Sequence, residues 1–550
     1  IFSNHLYKMT PFLLLLLLSP RLALSYTTPP SAAPCPAYPN PRSVDVETLL
    51  ASTEIQQALQ LCDQLFQNAS KTLPSGIIAT IVFDQTSIWS KGYGYKNITN
   101  KKQGPPTTDS LVRVASITKV FTTMLLYALR DNTNSVVNLN LDDGVDKYLQ
   151  HFTMQMMGDR APSLRELASH TAGLPRELPY PCAVFNYPGS CNESYVLSLL
   201  KNHPVVSPTH RRFHYSNLGM ALLGRALAHA PFNTKTELLP SLLYEDLVMS
   251  HITQPLGMNN ATFAYNETTK HRSAVGCEST SDSSPVHIPN GPSCGFGAPA
   301  GCLWASAGDM ARLMQFLFRI DPTKSHNNNI DPFSANTIAE MMAPSVLLRN
   351  GYEAVGTPFE MQYIANKYWT KGKQGELPGY RSSITVIEEL KVGVFTSALV
   401  TDVKSNSVWT IDALKILAPA LDAALTRLIQ EQKESLPKYA MMYVGKYYDG
   451  SVQIYVNESD NTLWFESGAG PDGESATILK LVEVKGANDQ NLHVLRALDV
   501  AGVENLGCRW LDDGDHLEIV KFVLNEEENV VTAMQFMGEQ FGKIYTRSKN

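Results

Sequence analysis

The run Leu111-Val112-Arg113-Val114-Ala115-Ser116-Ile117-Thr118-Lys119-Val120-Phe121-Thr122 decides how the rest of the chain is read. From Ser116 through Ala128 the sequence predicts a long apolar helix. A Ser at a helix start and a Lys three residues on share one face, a turn apart. The hydroxyl there sits in the positive field of the helix end. A lysine held among apolar neighbours can lose its proton, or help a neighbour lose one, and so activate that hydroxyl. The S-x-x-K pattern is therefore a device for acyl transfer through serine. On its own it is common: Ser198-Leu199-Leu200-Lys201 repeats it and reads as ordinary helix with a solvated lysine.

Two further elements follow along the chain. Tyr215-Ser216-Asn217 lies between Phe213 and a helix from Leu218 to Ala228 that is small and apolar nearly all round, hence buried. A phenolate serves as general base when cations depress its pKa, and an amide can orient a substrate carbonyl or the lysine. Y-x-N also recurs at Tyr38, Tyr95 and Tyr455, where it reads as a turn. The third element, Lys373-Gln374-Gly375-Glu376-Leu377-Pro378-Gly379-Tyr380, is read as a loop just before a strand, with Lys371 an equal candidate for its cation. A cation, a polar side chain and a glycine could there line one wall of a cleft, the glycine allowing close backbone approach. The three elements, in this order and each at an element edge, are jointly far more specific than any one.

Around them, Ile77–Phe83 reads as a buried strand with Ser87–Gly94 as its hairpin partner, preceded by a helix over 43–70. Ser163 opens a second helix with capping-box spacing to Glu166. Regions 266–295 and 321–331 read as loops. Ser382–Ile387 and Val392–Thr396 return as strands, and a helix over 408–433 carries Pro419. The economical fold is α/β (α+β): one antiparallel sheet completed from both chain ends and flanked by helices, with a helical subdomain inserted. This unit is expected over 43–434. Past a linker at 435–440, residues 441–550 show short alternating segments: Tyr443–Tyr447, Val452–Val456, Thr462–Phe465, Ile478–Val484, His516–Val523 and Val530–Phe536. They imply a second, antiparallel β domain, a sheet or small barrel.

The 550 residues carry a net charge of −7 and no long basic run, which gives nucleic acid no electrostatic foothold. Leu13 to Leu18, followed by Pro20, Arg21, Ala23 and Ser25, predicts a signal peptide over 1–25 with initiation at Met9. A Pro-rich segment, 26–42, follows it. No later stretch is long and apolar enough for a membrane helix, so no span is expected in the mature chain. The eight cysteines lack C-x-x-C spacing, so no metal site is expected. In an oxidising compartment the expected bridges are Cys35–Cys62, Cys182–Cys191 and Cys277–Cys294, with Cys302 and Cys508 unassigned. Sequons begin at Asn68, Asn97, Asn192, Asn260, Asn266 and Asn457. Together these describe a secreted, disulfide-bonded glycoprotein.

The chain resembles the serine β-lactamase and penicillin-binding-protein family, in particular the class C-like branch that includes D-alanyl-D-alanine carboxypeptidases, D-aminopeptidases and esterases. The resemblance spans roughly residues 77–400. Its further marks are Lys91-Gly92-Tyr93-Gly94-Tyr95, His170-Thr171-Ala172-Gly173-Leu174-Pro175, Phe213 to Gly219, Pro255-Leu256-Gly257-Met258 and Ala300 to Ala311. It implies Ser116 as nucleophile, Lys119 as its partner and Tyr215 as general base. Asn217, Lys373, Gly375 and Glu376 would contact substrate, and the backbone N–H groups of Ser116 and Glu376 would form the oxyanion hole. No cofactor is implied, and the partner is a small-molecule or peptide substrate. The segment starting Tyr443-Val444-Gly445-Lys446-Tyr447 resembles the lipocalin-like domain attached to some members. One departure matters: where relatives carry Thr or Gly this chain has Gln374, which puts efficient β-lactam hydrolysis in doubt. Gly291-Pro292-Ser293-Cys294-Gly295 fits G-x-S-x-G without the strand and helix that motif needs. His170 reads as a loop-holding residue. The alternative function is a secreted binding protein that keeps the fold with weak or no catalysis.

Overall fold

The computed structural model describes residues 39, 41–132, 139–158, 160–182, 191–230, 244–279, 283–286, 295–319, 331–401 and 408–433, together with strands between 445 and 546. The segments expected as signal peptide and linker, most of the Pro-rich segment, and Cys35, Cys294 and Cys508 lie outside the described residues. The chain divides into two compact units, Tyr38–Glu431 and one containing residues 432–550.

The first unit is built on one antiparallel sheet. Its strands are β1 (Gly76–Phe83) and β2 (Thr86–Gly94), then, past the short pair β3 (Val112–Arg113) and β4 (Trp304–Ala305), β5 (Val346–Leu347), β6 (Glu353–Val355), β7 (Glu360–Ile364), β8 (Tyr368–Leu377), β9 (Tyr380–Ile387) and β10 (Val392–Ala398). The spatial order is β2-β1-β10-β9-β8-β7-β6-β5. β1 pairs with β10 from Ile77–Ala398 to Phe83–Val392, so the two ends of the unit close the sheet.

β1 is buried along its whole length because both faces are covered. Ile78 and Val82 enter the core shared with the helix Thr118–Asp131, while Ile77, Ala79, Ile81 and Phe83 enter a second core. That second core is supplied by Ile55, Cys62 and Phe66 of the helix Thr53–Lys71 and by Leu414, Leu417 and Leu421 of the helix Trp409–Lys433. Each such side chain, fully withdrawn from water, contributes about 1.5–3 kcal/mol. The Trp409–Lys433 helix runs through Pro419 as one element. The helix expected over 43–70 is two, broken at Ser52, whose N–H and hydroxyl both turn back onto Leu49 O.

The helical insertion includes Leu164–Ala168, Glu193–Leu200, Asn217–His229 and Ala307–Leu317. The capping box expected at Ser163 and Glu166 is present with both reciprocal hydrogen bonds. The region read as loop from 266 instead begins with a helix, Glu267–Arg272, capped by the Asn266 side chain. Ser198 and Lys201, the second S-x-x-K, sit as expected at the surface, Ser198 donating within its own helix turn to Tyr195 O.

The cysteines depart from expectation. Cys182–Cys191 is a disulfide. Cys62 is a free, fully buried thiol on the inner face of its helix, 3.9 Å from Ala413 O, so it forms no bridge to Cys35. Cys277 is a buried thiol that donates to Leu399 O rather than the partner of Cys294. Cys302, left unassigned from sequence, is disulfide-bonded. Spacing in polar sequence located one loop closure; it could not register that positions 62 and 277 point into packed cores.

The second unit is an antiparallel meander: β11 (Gly445–Tyr447), β12 (Val452–Asn457), β13 (Thr462–Ser467), β14 (Thr477–Glu483), β15 (Leu492–Asp499), β16 (Ile519–Asn525), β17 (Val530–Phe536) and β18 (Ile544–Thr546), each paired with the next. The sequence pattern omits β15 and β18. In Leu492–Asp499 neither alternating set is cleanly polar, and Ile544–Thr546 is too short to show a period. Among the described residues no helix is long and apolar enough to cross a membrane.

Candidate active site

Ser116 is not on the first turn of the helix but on a 3-10 turn, Ala115–Ile117, that precedes it; the α-helix proper starts at Thr118. Ala115 is held at φ +50°, a left-handed conformation costly for any residue with a Cβ. Neighbours impose it. Val114 N–H donates to Leu303 O, and Thr118 Oγ1 donates to Ala115 O at 2.7 Å while accepting from Leu303 N–H. The β3–β4 pair and the Ser382 hydroxyl, bonded to Arg113 O, fix the approach to the turn.

Lys119 follows on the same face, completely buried. Its ammonium has three donors and finds three acceptors: Ser116 Oγ at 3.0 Å, Asn217 Oδ1 at 2.8 Å and Ala300 O at 2.6 Å. Burial, with Lys373 nearby, brings its pKa down to about 8, the Tyr215 oxygen holding it from falling further.

Tyr215 reaches the same hydroxyl from a distant part of the chain, its OH 2.8 Å from Ser116 Oγ. Ser216 caps the following helix by accepting from Gly219 N–H, and Asn217 is the first helical residue; the buried helix therefore aims both side chains. The Tyr215 ring stacks on His170, centroids 4.6 Å apart, and Lys119, Lys373 and Arg176 each lie 4.8–4.9 Å from its centre. Burial opposes ionisation of the phenol, but Lys373 and Lys119 outweigh it and hold its pKa below the ordinary value of 10. Asn217 is engaged at both ends, its carbonyl by Lys119 and its NH₂ by both carboxylate oxygens of Glu177 at 3.0 Å.

The third element is not a loop before a strand. Lys373 to Leu377 form the end of β8, and Pro378-Gly379 is the two-residue turn into β9, Gly379 taking φ +82°. Two lysines and two glycines within ten residues obscured the strand. β7 pairs with β8 only as far as Glu360–Gly372, so the 373–377 edge faces the cleft without a β7 partner. Lys373 is 2% exposed and its Nζ donates to Glu360 Oε1 at 2.5 Å and to Gln374 O at 3.2 Å. Burial alone would lower its pKa, but Glu360 and Tyr215 raise it, so it stays an ammonium. Lys371, the alternative cation, pairs with Glu388 instead. Gly375 passes under the Ser116 turn, and Glu376 is exposed.

These groups line a cleft of about 810 Å³ whose wall includes Ser116, Glu177, Tyr215, Glu360, Lys373 and Glu376. Of the residues named from sequence, Ser116, Lys119, Tyr215, Asn217, Lys373, Gly375 and Glu376 all converge here. Glu177, Glu360, Thr118 and the Ala300 carbonyl were missed, since none carries a pattern apart from the site it completes. His170, read as loop-holding, is buried in its loop yet touches Tyr215; its Nδ1 accepts from Ser216 N–H at 3.1 Å. Asn192 and Asn266 are helix caps, Asn68 accepts from Lys71, Asn97 accepts from Thr99, and Asn260 bonds Ser306 and Arg272. Asn457 is the last residue of β12. No group of three or more His, Cys, Asp or Glu side chains suited to a metal ion occurs among the described residues.

A sheet closed from both chain ends, a helical lobe and a Ser–Lys–Tyr cluster where they meet are the arrangement of the serine β-lactamases and penicillin-binding proteins. The chain belongs to the Beta-lactamase family, whose model matches residues 63–419. It is 32% identical over 538 residues to Beta-lactamase-like protein 2 of Dictyostelium discoideum, covering 91% of this chain and 90% of that one. Its fold is similar to that of the octameric penicillin-binding protein homologue from Pyrococcus abyssi, at TM-score 0.53 and 19% identity, over 90% of this chain and 100% of that one. It is also similar to a β-lactamase/D-alanine carboxypeptidase from Yersinia pestis, at TM-score 0.51 and 22% identity, over 68% of this chain and 99% of the other.

Proposed function

We propose that the protein is a serine hydrolase that opens an amide or ester bond through an acyl-enzyme on Ser116. The observation that carries this reading is that one hydroxyl, on a turn held in a costly conformation, is within hydrogen-bond reach of both Tyr215 OH and Lys119 Nζ. Ser116 Oγ attacks the carbonyl carbon as its proton passes to the Tyr215 phenolate. The charge on the carbonyl oxygen is taken by the backbone N–H groups of Ser116 and Glu376. Collapse breaks the bond to the leaving amine or alkoxide, which receives the proton from Tyr215. Water then attacks the acyl carbon, Tyr215 again accepting the proton; collapse breaks the bond to Ser116 Oγ, which takes that proton back from Tyr215 as the acid product leaves. Lys373 and Lys119 keep the phenol acidic, and Asn217, itself held by Glu177, holds Lys119 in place.

We infer further a secreted, disulfide-bonded hydrolase with its catalytic unit over 43–434, a β-rich domain over 441–550 and glycans on the sequons; the Cys182–Cys191 bridge supports an oxidising compartment. A non-catalytic binding protein would leave the convergence of Ser116, Lys119, Tyr215 and Asn217 without a purpose. Ser116→Ala should abolish the acyl adduct seen by intact mass after treatment with a serine-directed acylating probe, with the fold retained. Equal labelling of wild type and variant refutes the assignment.

A further inference from the structure

The Lys373 ammonium is the cation of the third element, yet it is already paired within the chain. Glu360, the first residue of β7, places its carboxylate 2.5 Å from Lys373 Nζ. The lysine is 2% exposed, while the Glu360 side chain is 37% exposed and stands on the cleft wall. Glu360 also sits where β7 stops pairing with β8, at the mouth of the strand edge that runs from Lys373 to Leu377. Three further carboxylates, Glu177, Glu353 and Glu376, line the same cleft. Arg176, one of the cleft's cations, is itself 3.2 Å from Glu177. A carboxylate arriving on a substrate would have to displace Glu360 and would meet these like charges, partly screened by water, with Arg176 and Arg381 the further cations on the wall.

We propose that Glu360 is a specificity-determining residue that fills the carboxylate position beside Lys373, and that the cleft accepts substrates carrying no carboxylate near the scissile bond: uncharged esters or amides. This rests on the Ser116 reading given above. It also fits Gln374, which offers an amide rather than a hydroxyl to the position beside the strand edge. The ion pair keeps Lys373 charged beside Tyr215, so the chain retains the cation its chemistry needs without requiring an anionic substrate.

The test uses the full chain and two esters with the same acyl group, a phenyl ester and its 3-carboxyphenyl counterpart. The wild type is expected to favour the uncharged ester by about 10-fold or more in kcat/KM, a difference of about 1.4 kcal/mol. Glu360→Gln, nearly isosteric, is expected to shift the ratio at least about 10-fold toward the carboxylate ester, mostly through KM. The double variant Glu360→Gln/Lys373→Met should lose that gain, because the freed ammonium is what captures the carboxylate. A wild type that prefers the carboxylate ester, or a ratio unmoved in Glu360→Gln while its thermal unfolding matches the wild type, overturns the proposal. Should neither ester leave an acyl group on Ser116 in the wild type, the underlying hydrolase reading fails instead; acylation by both with no discrimination sinks only the role of Glu360.

Discussion

Gly375 of β8 lies so close to Ser116 that a Cβ built on it would stand 2.7 Å from Ser116 N and 2.4 Å from Val114 O. Both are backbone atoms, so neither can swing aside as a side-chain tip would. The strand edge and the nucleophile turn are thus set against each other at a spacing that only a glycine permits.

Gly375→Ala is therefore expected to push the Ser116 turn out of register with Tyr215 and Lys119. A displacement of this kind costs about 100-fold in acylation, with a stability loss of about 1–3 kcal/mol from overpacking. Adduct formation followed by mass, alongside denaturant unfolding, checks both. Wild-type acylation in a folded variant would mean that the close approach has no catalytic consequence.

Tyr215 owes its acidity first to Lys373 and then to Lys119, against the opposing effect of burial. The phenolate is the working form, so activity rises as pH passes the phenol's pKa. Replacing Lys373 by Met removes the larger cationic influence and raises that pKa. The rising limb of the kcat/KM profile is expected to move to higher pH, and no movement would detach Lys373 from Tyr215.

Tyr215→Phe keeps the ring against His170 but leaves the Ser116 proton without its acceptor. The expected loss in kcat/KM is about 10²–10⁴-fold. Single-turnover kinetics should place the loss in acylation as well as deacylation. A loss confined to substrate binding would assign Tyr215 a different role.

His170 is buried among Lys119, Lys373, Arg176 and His214, and burial first, then these groups, hold its pKa well below the ordinary 6.5. The unfolded chain takes up a proton at this imidazole as pH falls below 6.5, and the native protein does not. Native stability is accordingly lost as pH drops through that range. His170→Asn suits the residue's φ of +57° and can still accept from Ser216 N–H. Denaturant titrations at pH 7 and pH 5 should show a smaller drop in the variant; an equal drop would locate the acid sensitivity elsewhere.

The Cys62 thiol is pushed up to about 12 by burial. A thiol this basic and this enclosed reacts with neither oxidant nor alkylating reagent in the native state. Labelling at Cys62, read by peptide mass, should appear only in denaturant, and rapid native labelling would contradict its packed position.

How much of this was legible beforehand follows from what each residue reports. Ile77–Phe83 and Val392–Thr396 announced buried strands because β-branched and aromatic runs have few other uses. Their pairing across more than three hundred residues was readable only as an economy of topology. Ser116, Lys119, Tyr215 and Asn217 stood out because chemistry demands those side chains at short spacings. Lys373 was identified as a cation but placed in a loop, since glycines chosen for close backbone approach imitate turn signals. Glu360 and Glu177 were invisible: a carboxylate completing a site from another strand leaves no local trace.

Closing the sheet through β1 and β10 also sets a schedule for biosynthesis. While the ribosome is still adding the residues before Val392, β1 has only β2 beside it, and the part of the sheet that carries Gly375, β5 to β9, has no strand joining it to β1. Long-range pairing of this sort makes folding slow. The reactive serine is consequently assembled late, after nearly the whole unit has been translated, and an interrupted nascent chain carries the nucleophile in an unarmed state.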